Sequence, residues 1–490
     1  MAAVAQGGIE DEHGRRRRLT ILAVCCASLL IVGLDVTIVN VALPSIAREF
    51  KGSISGLQWV VDAYTLVLAS LLLLSGSTAD RFGRRRTFIT GLAIFSAGSL
   101  LCSVAGSLGM LIAFRMMQAV GGSMLNPVAM SIITNTFTDP RERAQAVGVW
   151  GAVVGVSIAL GPVLGGLLVT SSGWRSVFWI NVPVGLAAIA LTLRFVPESR
   201  APRARRFDAV GQLLVIVLLA GVTFAIIEAP SRGIGSPEIL LAVGLAIAAL
   251  IGLVTYEPRR EEPLIDVRFL HSIPFASATA TAVAAFAAFG GFLFANTLYL
   301  QGVRGLSPLH AGLATLPLAV ATMVLAPISG RIVGRRGARL PLIGAGIAIT
   351  AACIALTGID AKTPLIEVLI PYTVFGIGFG LVNAPITNTA VSGMPRAQAG
   401  VAAGIASTSR QVGATLGVAI VGALVAGAVN HGAPTYSGTG ASIVWIALAV
   451  CGALVLALGI YGTSSRARAS AERTAIELNP EGLEAAQVMR

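Results

Sequence analysis

The fold is decided by the stretch GLQWVVDAYTLVLASLLLLSGSTADRFGRRRTFITGLAIFSAGSLLCSVAG, which runs from Gly56 to Gly106. Two apolar runs, 56–77 and 87–106, flank a short segment that contains four arginines. Each run has about 20 residues, enough for a helix to cross the roughly 30 Å hydrocarbon core of a membrane. Basic residues between two such runs are typical of a cytoplasmic loop. The stretch therefore predicts two transmembrane helices joined by a tight cytoplasmic loop.

Similar apolar runs recur along nearly the whole chain of 490 residues, which is 55% hydrophobic and only 12% charged. This composition excludes an ordinary soluble protein and leaves no room for a sizeable water-soluble domain. Fourteen spans are predicted, and an even number puts both termini on the same side of the membrane. The predicted spans are 19–43, 56–77, 87–106, 109–133, 144–170, 176–196, 209–228, 237–256, 273–300, 309–330, 339–358, 365–388, 398–426 and 441–462.

The distribution of Lys and Arg tests this register, because basic residues concentrate in cytoplasmic loops. Of 35 basic residues, 27 fall in loops and tails on the side of the N-terminus, six fall on the opposite side and two lie inside spans. A miscounted central span would have mixed the two groups. Both termini are therefore expected in the cytoplasm. Because the net charge of +12 follows from this orientation signal, nucleic-acid binding is not expected.

An internal repeat is indicated by two similar loops at an offset of 254 residues. Such an offset between two six-helix halves is typical of transporters with a substrate cavity between parallel repeats. The alternative is that any short cytoplasmic loop attracts Gly and Arg. The first loop contains Gly76, Asp80, Arg81, Gly83, Arg84 and Arg85, and its weaker echo contains Gly330, Arg331, Arg335, Arg336 and Gly337. The expected domains are an N-terminal tail (1–18), a six-helix bundle (19–206), two additional helices (207–262), a second six-helix bundle (263–462) and a C-terminal tail (463–490).

Three charged residues lie at similar depths inside the predicted spans. Asp35, Asp62 and Arg115 are about six to eight residues from the outer ends of their spans, or roughly 9–12 Å below the outer surface. They are expected to share one site if their helices adjoin, because an unpaired charge in a membrane costs several kcal/mol. An aspartate beside an arginine stays ionised, whereas one in a dry cavity favours its protonated form. We therefore expect Asp35 to carry a coupling proton, Arg115 to tune it, and Asp62 to assist with protons or a cationic substrate; a static ion pair is the alternative.

Other polar residues within the spans are candidates for a cavity lining. Arg410, near the middle of the thirteenth span, is expected to face the cavity or a neighbouring helix. No acidic residue lies deep within the predicted spans of the C-terminal half, so a multiply charged cation would meet few carboxylates there. This favours neutral, monocationic or weakly anionic cargo. Glu228 and Glu367, near outer helix ends, are expected at the surface. The candidate cavity residues are Asn40, Trp59, Tyr64, Gln118, Asn296, Asn383, Arg410 and Gln411.

Several motifs resemble one family. The segment 76–86 resembles the signature loop of the major facilitator superfamily. LDVTIVNVALP (34–44) resembles the opening of its fourteen-spanner drug:proton antiporters, the EmrB/QacA-like multidrug efflux transporters. The segments 58–64, 173–183 and 409–413 are also similar to that branch. GVSIALGPVLGG in the fifth span resembles the motif of the superfamily's antiporters, through Gly155, Gly161, Pro162, Gly165 and Gly166.

The resemblance implies an all-α polytopic major facilitator fold, with two six-helix bundles and two extra central helices. It also implies a proton-coupled antiporter that exports small, largely apolar drugs or metabolites across a bacterial cytoplasmic membrane by alternating access, and so confers antibiotic resistance. In this family the signature loop latches the halves in one access state, and the fifth-span glycines shape an exporter. The chain departs from the pattern at Ala119, where Gly usually follows the fourth-span Gln, so helix packing is expected to differ there.

Other functions are less well supported. ATP-driven transport is excluded within this chain, because neither Lys51 nor Lys362 follows Gly as a nucleotide-binding loop requires. No catalytic or metal-binding constellation is found, so we expect no enzyme activity, no metal and no cofactor, with the proton gradient as energy source. The expected partners are a small-molecule substrate, protons and the lipid bilayer, and a monomer is expected. A nutrient importer on the same fold and, further off, a non-transporting membrane sensor remain the alternatives.

Overall fold

The computed structural model describes residues 2–201, 208–260, 263–264, 266–395, 398–430 and 439–478. Within these residues the chain is helical almost throughout and contains no strand. In a bilayer, a helix is favoured because it satisfies every backbone hydrogen bond within one segment. The first half comprises α1 (Ala2–Phe50), α2 (Ile54–Phe82), α3 (Arg84–Ser103), α4 (Leu108–Thr136), α5 (Pro140–Ser172), α6 (Ser176–Trp179) and α7 (Asn181–Phe195). The remainder comprises α8 (Ala209–Arg232), α9 (Pro237–Tyr256), α10 (Ile273–Thr297), α11 (Pro308–Ala314), α12 (Leu316–Arg336), α13 (Arg339–Ala355), α14 (Leu365–Val391), α15 (Ala399–Asn430), α16 (Thr439–Gly462) and α17 (Ser465–Leu478).

Thirteen helical stretches in the described part of the chain are long and apolar enough to cross a membrane. The remaining predicted span, 339–358, the eleventh of the fourteen, corresponds to α13, a shorter apolar helix of 17 residues. At about 1.5 Å per residue it measures roughly 25 Å, a few ångströms less than the average hydrocarbon core. Its buried face packs against α14 and α16. α13 therefore occupies the position of a span and is the shortest member of the series.

The predicted helix ends differ from the observed ones at both tails. α1 begins at Ala2 instead of Leu19, because no proline separates the charged start from the apolar span. The predicted C-terminal tail contains α17, whose small residues face the protein. The backbone N–H of Ile273 donates to the Ser470 hydroxyl of α17 at 2.9 Å. The tail is thus attached to the start of α10.

Two helical bundles make up the fold. Helices α1 to α7 pack on one another to form the first, and α10 to α16 form the second. The two additional helices lie outside both: α8 packs against α2 and α15, whereas α9 packs against α8. Many apolar side chains of α9, such as Leu240, Leu241 and Ile251, are exposed on the protein surface, as expected for a lipid-facing helix. This is the polytopic all-α architecture that the sequence predicts.

Each of the two repeated loops turns at a glycine with positive φ. Gly83, between α2 and α3, has a φ of 109°, and Gly337, between α12 and α13, has a φ of 79°. These glycines are separated by the same 254 residues as the motif echo. Positive φ is the region that favours glycine, so both loops turn by the same means. The echo therefore marks equivalent helix pairs in the two bundles.

Candidate functional site

A buried ion pair lies inside the first bundle. The side chain of Asp35 on α1 is 0% exposed and that of Arg115 on α4 is 1% exposed. Arg115 Nη1 donates to Asp35 Oδ2 and, at 2.7 Å, to Gln118 Oε1 one turn along α4. The structure thus joins two of the three charged residues that were predicted to share a site.

Amide and hydroxyl groups complete the surroundings of the Asp35 carboxylate. Gln118 Nε2 donates to Asp35 Oδ1 at 2.8 Å and to the Ser99 hydroxyl of α3 at 2.7 Å. Asn181 Nδ2, at the start of α7, donates to the same carboxylate oxygen at 3.2 Å. The carboxylate is therefore bound by donors from two helices besides its own. Ser99 and Asn181 were not among the predicted site residues, although Asn181 belongs to a segment that resembles the family.

Aromatic rings enclose the arginine. The Tyr64 ring of α2 lies 4.1 Å from the Arg115 guanidinium carbon, and the Phe178 ring lies 5.7 Å from it. Arg115 Nε donates to the backbone carbonyl of Val60 at 3.1 Å. Cation–π contacts of this kind stabilise a desolvated guanidinium. Tyr64 and Gln118, predicted as cavity residues, therefore belong to the ion-pair site.

Asp62 does not join this site. Tyr64 faces Arg115, and Asp62 lies two residues earlier on the same helix. Two residues in an α-helix are separated by about 200° around the axis, so their side chains point in nearly opposite directions. Asp62 makes no ion pair with Arg115. The prediction that all three charged residues share one site is therefore wrong for Asp62.

Asp62 instead faces the seam between the halves. It shares a face of α2 with Gln58 and Thr65, both of which bond α15 of the second bundle. Gln58 Nε2 donates to the Ala419 carbonyl at 2.8 Å, and the Thr415 hydroxyl lies 2.8 Å from that of Thr65. Both carboxylate oxygens of Asp62 are buried and have no hydrogen-bond partner among the described residues. A role for Asp62 in proton or substrate binding stays a prediction.

Two of the predicted cavity residues share a small pocket between the halves. Asn40 of α1 and Asn296 of α10 both line it, together with Thr37 and Gln301. Asn40 Oδ1 is buried and lacks a described hydrogen-bond partner, whereas Asn296 accepts a hydrogen bond from the Tyr372 hydroxyl. The enclosed space has room for about one water molecule, and its lining brings polar side chains of α1 and α10 together at the junction of the halves.

Trp59 contacts an additional helix instead of a cavity. Its indole N–H donates to Glu228 Oε1 of α8 at 2.9 Å, and its ring lies 6.2 Å from that of Phe224. Glu228, expected at the surface, is half-buried at this contact. Trp59 therefore attaches α8 to α2.

The arginine-rich loop is bound by the segment that follows α7. The Asp80 carboxylate pairs with Arg84 at 3.0 Å, four residues along the chain. The Arg84 N–H donates to the Ser199 carbonyl at 2.9 Å, and the Ala201 N–H donates to the Asp80 carbonyl at 3.2 Å. Among the described residues, the hydrogen bonds and ion pairs of residues 80–86 stay within the first half. A latch between the halves, which the resemblance implies, therefore stays a prediction.

Glu198 is the acid that faces the N-terminus of α3. Its carboxylate accepts hydrogen bonds from the backbone N–H groups of Arg85 at 3.1 Å and Arg86 at 3.3 Å, in the first turn of α3. A carboxylate at this position is favoured by the helix dipole. The sequence contained one sign that Glu198 has a structural role: it is the one acid within the arginine-rich segment 194–206.

The glycines of α5 permit close contact with α1. A Cβ on Gly161 would lie 1.9 Å from the Thr37 hydroxyl, and one on Gly165 would lie 2.7 Å from the Ile38 side chain. Both distances are shorter than any real Cβ contact. The predicted flat face of α5 is therefore occupied by the helix that carries Asp35.

Another face of α5 meets the second half. A Cβ on Gly166 would lie 2.5 Å from the Pro308 carbonyl oxygen of α11, and one on Gly312 would lie 2.2 Å from the Pro162 carbonyl oxygen. Gly155 is different, since a Cβ there would have the Met323 Cα, at 3.9 Å, as its nearest neighbour. The motif thus brings the two bundles into backbone contact at its C-terminal end.

Arg410, Asn383 and Gln411 lie together in the second bundle. Arg410 Nη2 of α15 donates to the Thr387 hydroxyl of α14 at 2.5 Å and approaches the Asn383 carbonyl at 3.5 Å. The Gln411 side chain is half-buried, and its backbone carbonyl accepts from the Thr415 hydroxyl at 3.1 Å. These residues form a second polar region away from the ion pair.

Two bundles of membrane-crossing helices with polar sites within and between them are the architecture of a secondary transporter. The family model of the Major Facilitator Superfamily matches residues 25–418. The multidrug resistance protein Stp of Mycobacterium tuberculosis is 36% identical, over 84% of this chain and 76% of the relative. The tetracenomycin C resistance and export protein of Streptomyces glaucescens is 37% identical over the same shares. The methylenomycin A resistance protein of Streptomyces coelicolor is 33% identical, over 87% of this chain and 90% of the relative.

The chain belongs to the Major Facilitator Superfamily and is a multi-pass transporter of a bacterial inner membrane. Its similarity to several drug efflux and antibiotic resistance proteins extends over both bundles.

Proposed function

We propose that this transporter is a proton-coupled antiporter that exports small, largely apolar drugs or metabolites by alternating access. The proton gradient supplies the energy without a cofactor, both termini lie in the cytoplasm, and the working unit is a monomer. The names of the relatives support the direction of transport and the class of cargo. The observation that carries the proposal is the ion pair of Asp35 and Arg115, buried within one bundle and bound by further donors.

Protonation of Asp35 would change the balance of charge inside the bundle. The ionised carboxylate compensates the Arg115 guanidinium and accepts hydrogen bonds from Gln118 and Asn181. A neutral Asp35 leaves the arginine without its counter-charge. Removing one partner of a buried pair typically costs about 3–5 kcal/mol. The protonated form therefore favours a different arrangement of α1 and α4, and this preference couples the proton to a conformational change.

α1 connects the ion pair to the pocket between the halves. Asp35, Thr37 and Asn40 lie on this one helix, and the last two line the pocket. A movement of α1 on protonation would change the pocket and the contact of α1 with α5 together, because Gly161 lies directly against Thr37. Protonation of Asp35 and binding of cargo are therefore expected to oppose each other, because both depend on the position of α1.

The test is dye efflux from energised cells, using ethidium, Hoechst 33342 and Nile red as neutral and monocationic probes. The native chain is compared with Asp35→Asn and, as a matched control, Asp360→Asn in the exposed link after α13. We expect a protonophore to stop native efflux, Asp35→Asn to abolish it at equal expression, and Asp360→Asn to leave it unchanged. Efflux that ignores both the protonophore and Asp35→Asn would overturn proton coupling, and uptake of the probes in place of efflux would overturn export.

A further inference from the structure

A positively charged side chain lies within the second bundle without a described carboxylate partner. Arg410 is about 11 residues into α15, or roughly 16 Å from the end of the helix at Ala399. Its two described hydrogen-bond acceptors, the Thr387 hydroxyl and the Asn383 carbonyl, are both neutral. The Nε–H is buried and has no partner among the described residues. No described carboxylate therefore compensates the charge of this guanidinium, and one of its donors makes no described hydrogen bond.

Arg410 lies within a membrane-spanning helix, where a charge without a counter-charge is costly. An unpaired charge inside a membrane costs several kcal/mol, and such groups typically face a cavity and mark a substrate pathway. Arg304 also bonds only to neutral oxygens, the Tyr299 hydroxyl and the Thr363 carbonyl, but it follows the last turn before the link to α11. Water can reach such a position. Arg410 has no comparable position at a helix end, so a function is the more economical explanation for its charge.

The surroundings of Arg410 are apolar and aromatic on one side. The Phe286 ring of α10 lies 6.0 Å from the guanidinium carbon. Phe286 contacts Phe379 at 5.2 Å, and Phe379 stacks on Phe289 at 4.1 Å with an interplanar angle of 9°. The cation thus lies beside a cluster of rings. Phe289 and Phe379 are buried and Phe286 is partly exposed, so a flat aromatic molecule would pack against Phe286 while its acidic group meets the cation.

The guanidinium faces the inside of the bundle. It contacts α14 and lies near α10, which are the neighbours of α15 in the second half. The opposite contacts of α15 are with α2, through the Ala419 carbonyl and the Thr415 hydroxyl. The contacts of Arg410 therefore favour a ligand from the interior over a lipid headgroup.

We infer that Arg410 is an anion-recognising residue of the transport pathway, and that the compounds it serves are planar aromatic acids. A carboxylate or ionised phenol of the cargo accepts hydrogen bonds from the guanidinium, while the aromatic part packs near Phe286. Charge-assisted bonds from arginine to a carboxylate are stronger than neutral ones, which explains the use of Arg at this position. The inference rests on the proposed export function and extends its cargo beyond neutral and monocationic compounds.

The test is equilibrium binding to the purified full chain in phosphatidylcholine nanodiscs. The probes are 1-naphthoate and its neutral amide, 1-naphthamide, which share one ring system. We expect the native chain to bind the acid at least about tenfold more tightly than the amide, a difference of about 1.4 kcal/mol. Arg410→Gln should reduce this preference to within about twofold, and Arg410→Lys should retain part of it, because only the glutamine variant loses the charge. Arg304→Gln is the matched control and should keep the native preference.

Equal affinity for the two probes in the native chain, or an unchanged preference in Arg410→Gln, would overturn the inference. A lipid phosphate is distinguished by repeating the measurement in phosphatidylglycerol nanodiscs at high salt, which screens the repulsion of naphthoate by the lipid surface: if anionic lipid still removes the preference, Arg410 binds headgroups and the inference is wrong. Dye efflux separates this result from the proposed function. Protonophore-sensitive efflux without any preference for naphthoate overturns the anion site alone, whereas a normal preference without efflux overturns export alone.

Discussion

Each bundle contains one arginine deep within a helix, Arg115 in the first and Arg410 in the second. Arg115 is 1% exposed and is compensated by the Asp35 carboxylate, two aromatic rings and a backbone carbonyl. Arg410 is half-buried and has neutral oxygen acceptors alone among its described hydrogen-bond partners. The same type of charge in the same fold therefore has two different environments.

This difference suggests a division of labour between the halves. A compensated pair can respond to a proton, because protonation removes one of its charges. An uncompensated cation cannot take up that role and instead can bind an anion from solution. The first bundle would thus sense the proton gradient while the second contributes to the choice of cargo.

The largest effect is expected from breaking the pair in the first bundle. Arg115→Gln leaves the Asp35 carboxylate buried without its counter-charge and should lower the free energy of unfolding by about 3–5 kcal/mol. The double variant Asp35→Asn/Arg115→Gln should recover much of this loss, since no charge then remains. Denaturant unfolding of the purified protein measures both. The control is Arg232→Gln in the more exposed pair with Glu228, where a change of at most about 1 kcal/mol is expected. Additive losses in the double variant would contradict this account.

The second largest effect is expected from a substitution at the junction of the two bundles. Gly166→Val places a side chain against the Pro308 backbone, which cannot yield as a flexible side chain can. We expect the rate of dye efflux to fall at least about tenfold, equivalent to about 1.4 kcal/mol in a barrier, because the halves no longer reach this contact. Gly155→Val, on the same helix but without a close neighbour, should retain efflux. Equal losses in the two variants would point to a general need for glycine in α5.

A third experiment gives Arg410 a carboxylate partner, as Arg115 has in the first bundle. Thr387→Asp puts a carboxylate where the hydroxyl now accepts from Arg410 at 2.5 Å. The internal ion pair should compete with an external acid, so the preference for 1-naphthoate over 1-naphthamide should fall from about tenfold to about twofold. Thr387→Asn, of similar size but neutral, should keep the native preference. A preference that survives the aspartate would mean that the acid binds elsewhere.

The smallest effect is expected at the loop between α2 and α3. Gly83→Ala forces a side chain into positive φ and against the Glu198 carboxylate, where a Cβ would lie 2.6 Å from Oε1. The expected loss in the free energy of unfolding is about 1–2 kcal/mol. Gly76→Ala, which meets no atom within 4 Å and lies inside α2, should not lower it, because Ala favours a helix over Gly by about 0.5–1 kcal/mol. If both variants were neutral, the turn would not depend on glycine.

The depth of charged side chains in the membrane could be predicted from the sequence, but the direction in which they point from the helix axis could not. Counting residues from the ends of apolar runs correctly put Asp35 and Arg115 at matching levels, and the structure joins them. The same count also put Asp62 at that level. Its rotation about the helix axis depends on which neighbours α2 packs against, and that becomes visible only once Tyr64 is seen to face Arg115.

Contacts between distant segments were also beyond the sequence. The hydrogen bonds of Glu198 to the start of α3 join residues more than a hundred positions apart, and no local pattern encodes such a partner. The boundaries of α1 and α17 were missed for another reason. Hydropathy detects the part of a helix within the membrane, and polar helix-forming residues extend both helices beyond it.

Because of the position of α8, the two junctions between the bundles differ in how accessible they are to compounds dissolved in the bilayer. α8 covers the line where α2 meets α15, whereas no described helix covers the line where α5 meets α11 and α12. A lipophilic compound that diffuses within the membrane would therefore find one of these lines shielded and the other facing the acyl chains directly. Lateral entry of cargo from the lipid, where it occurs, is accordingly expected from the α5 side.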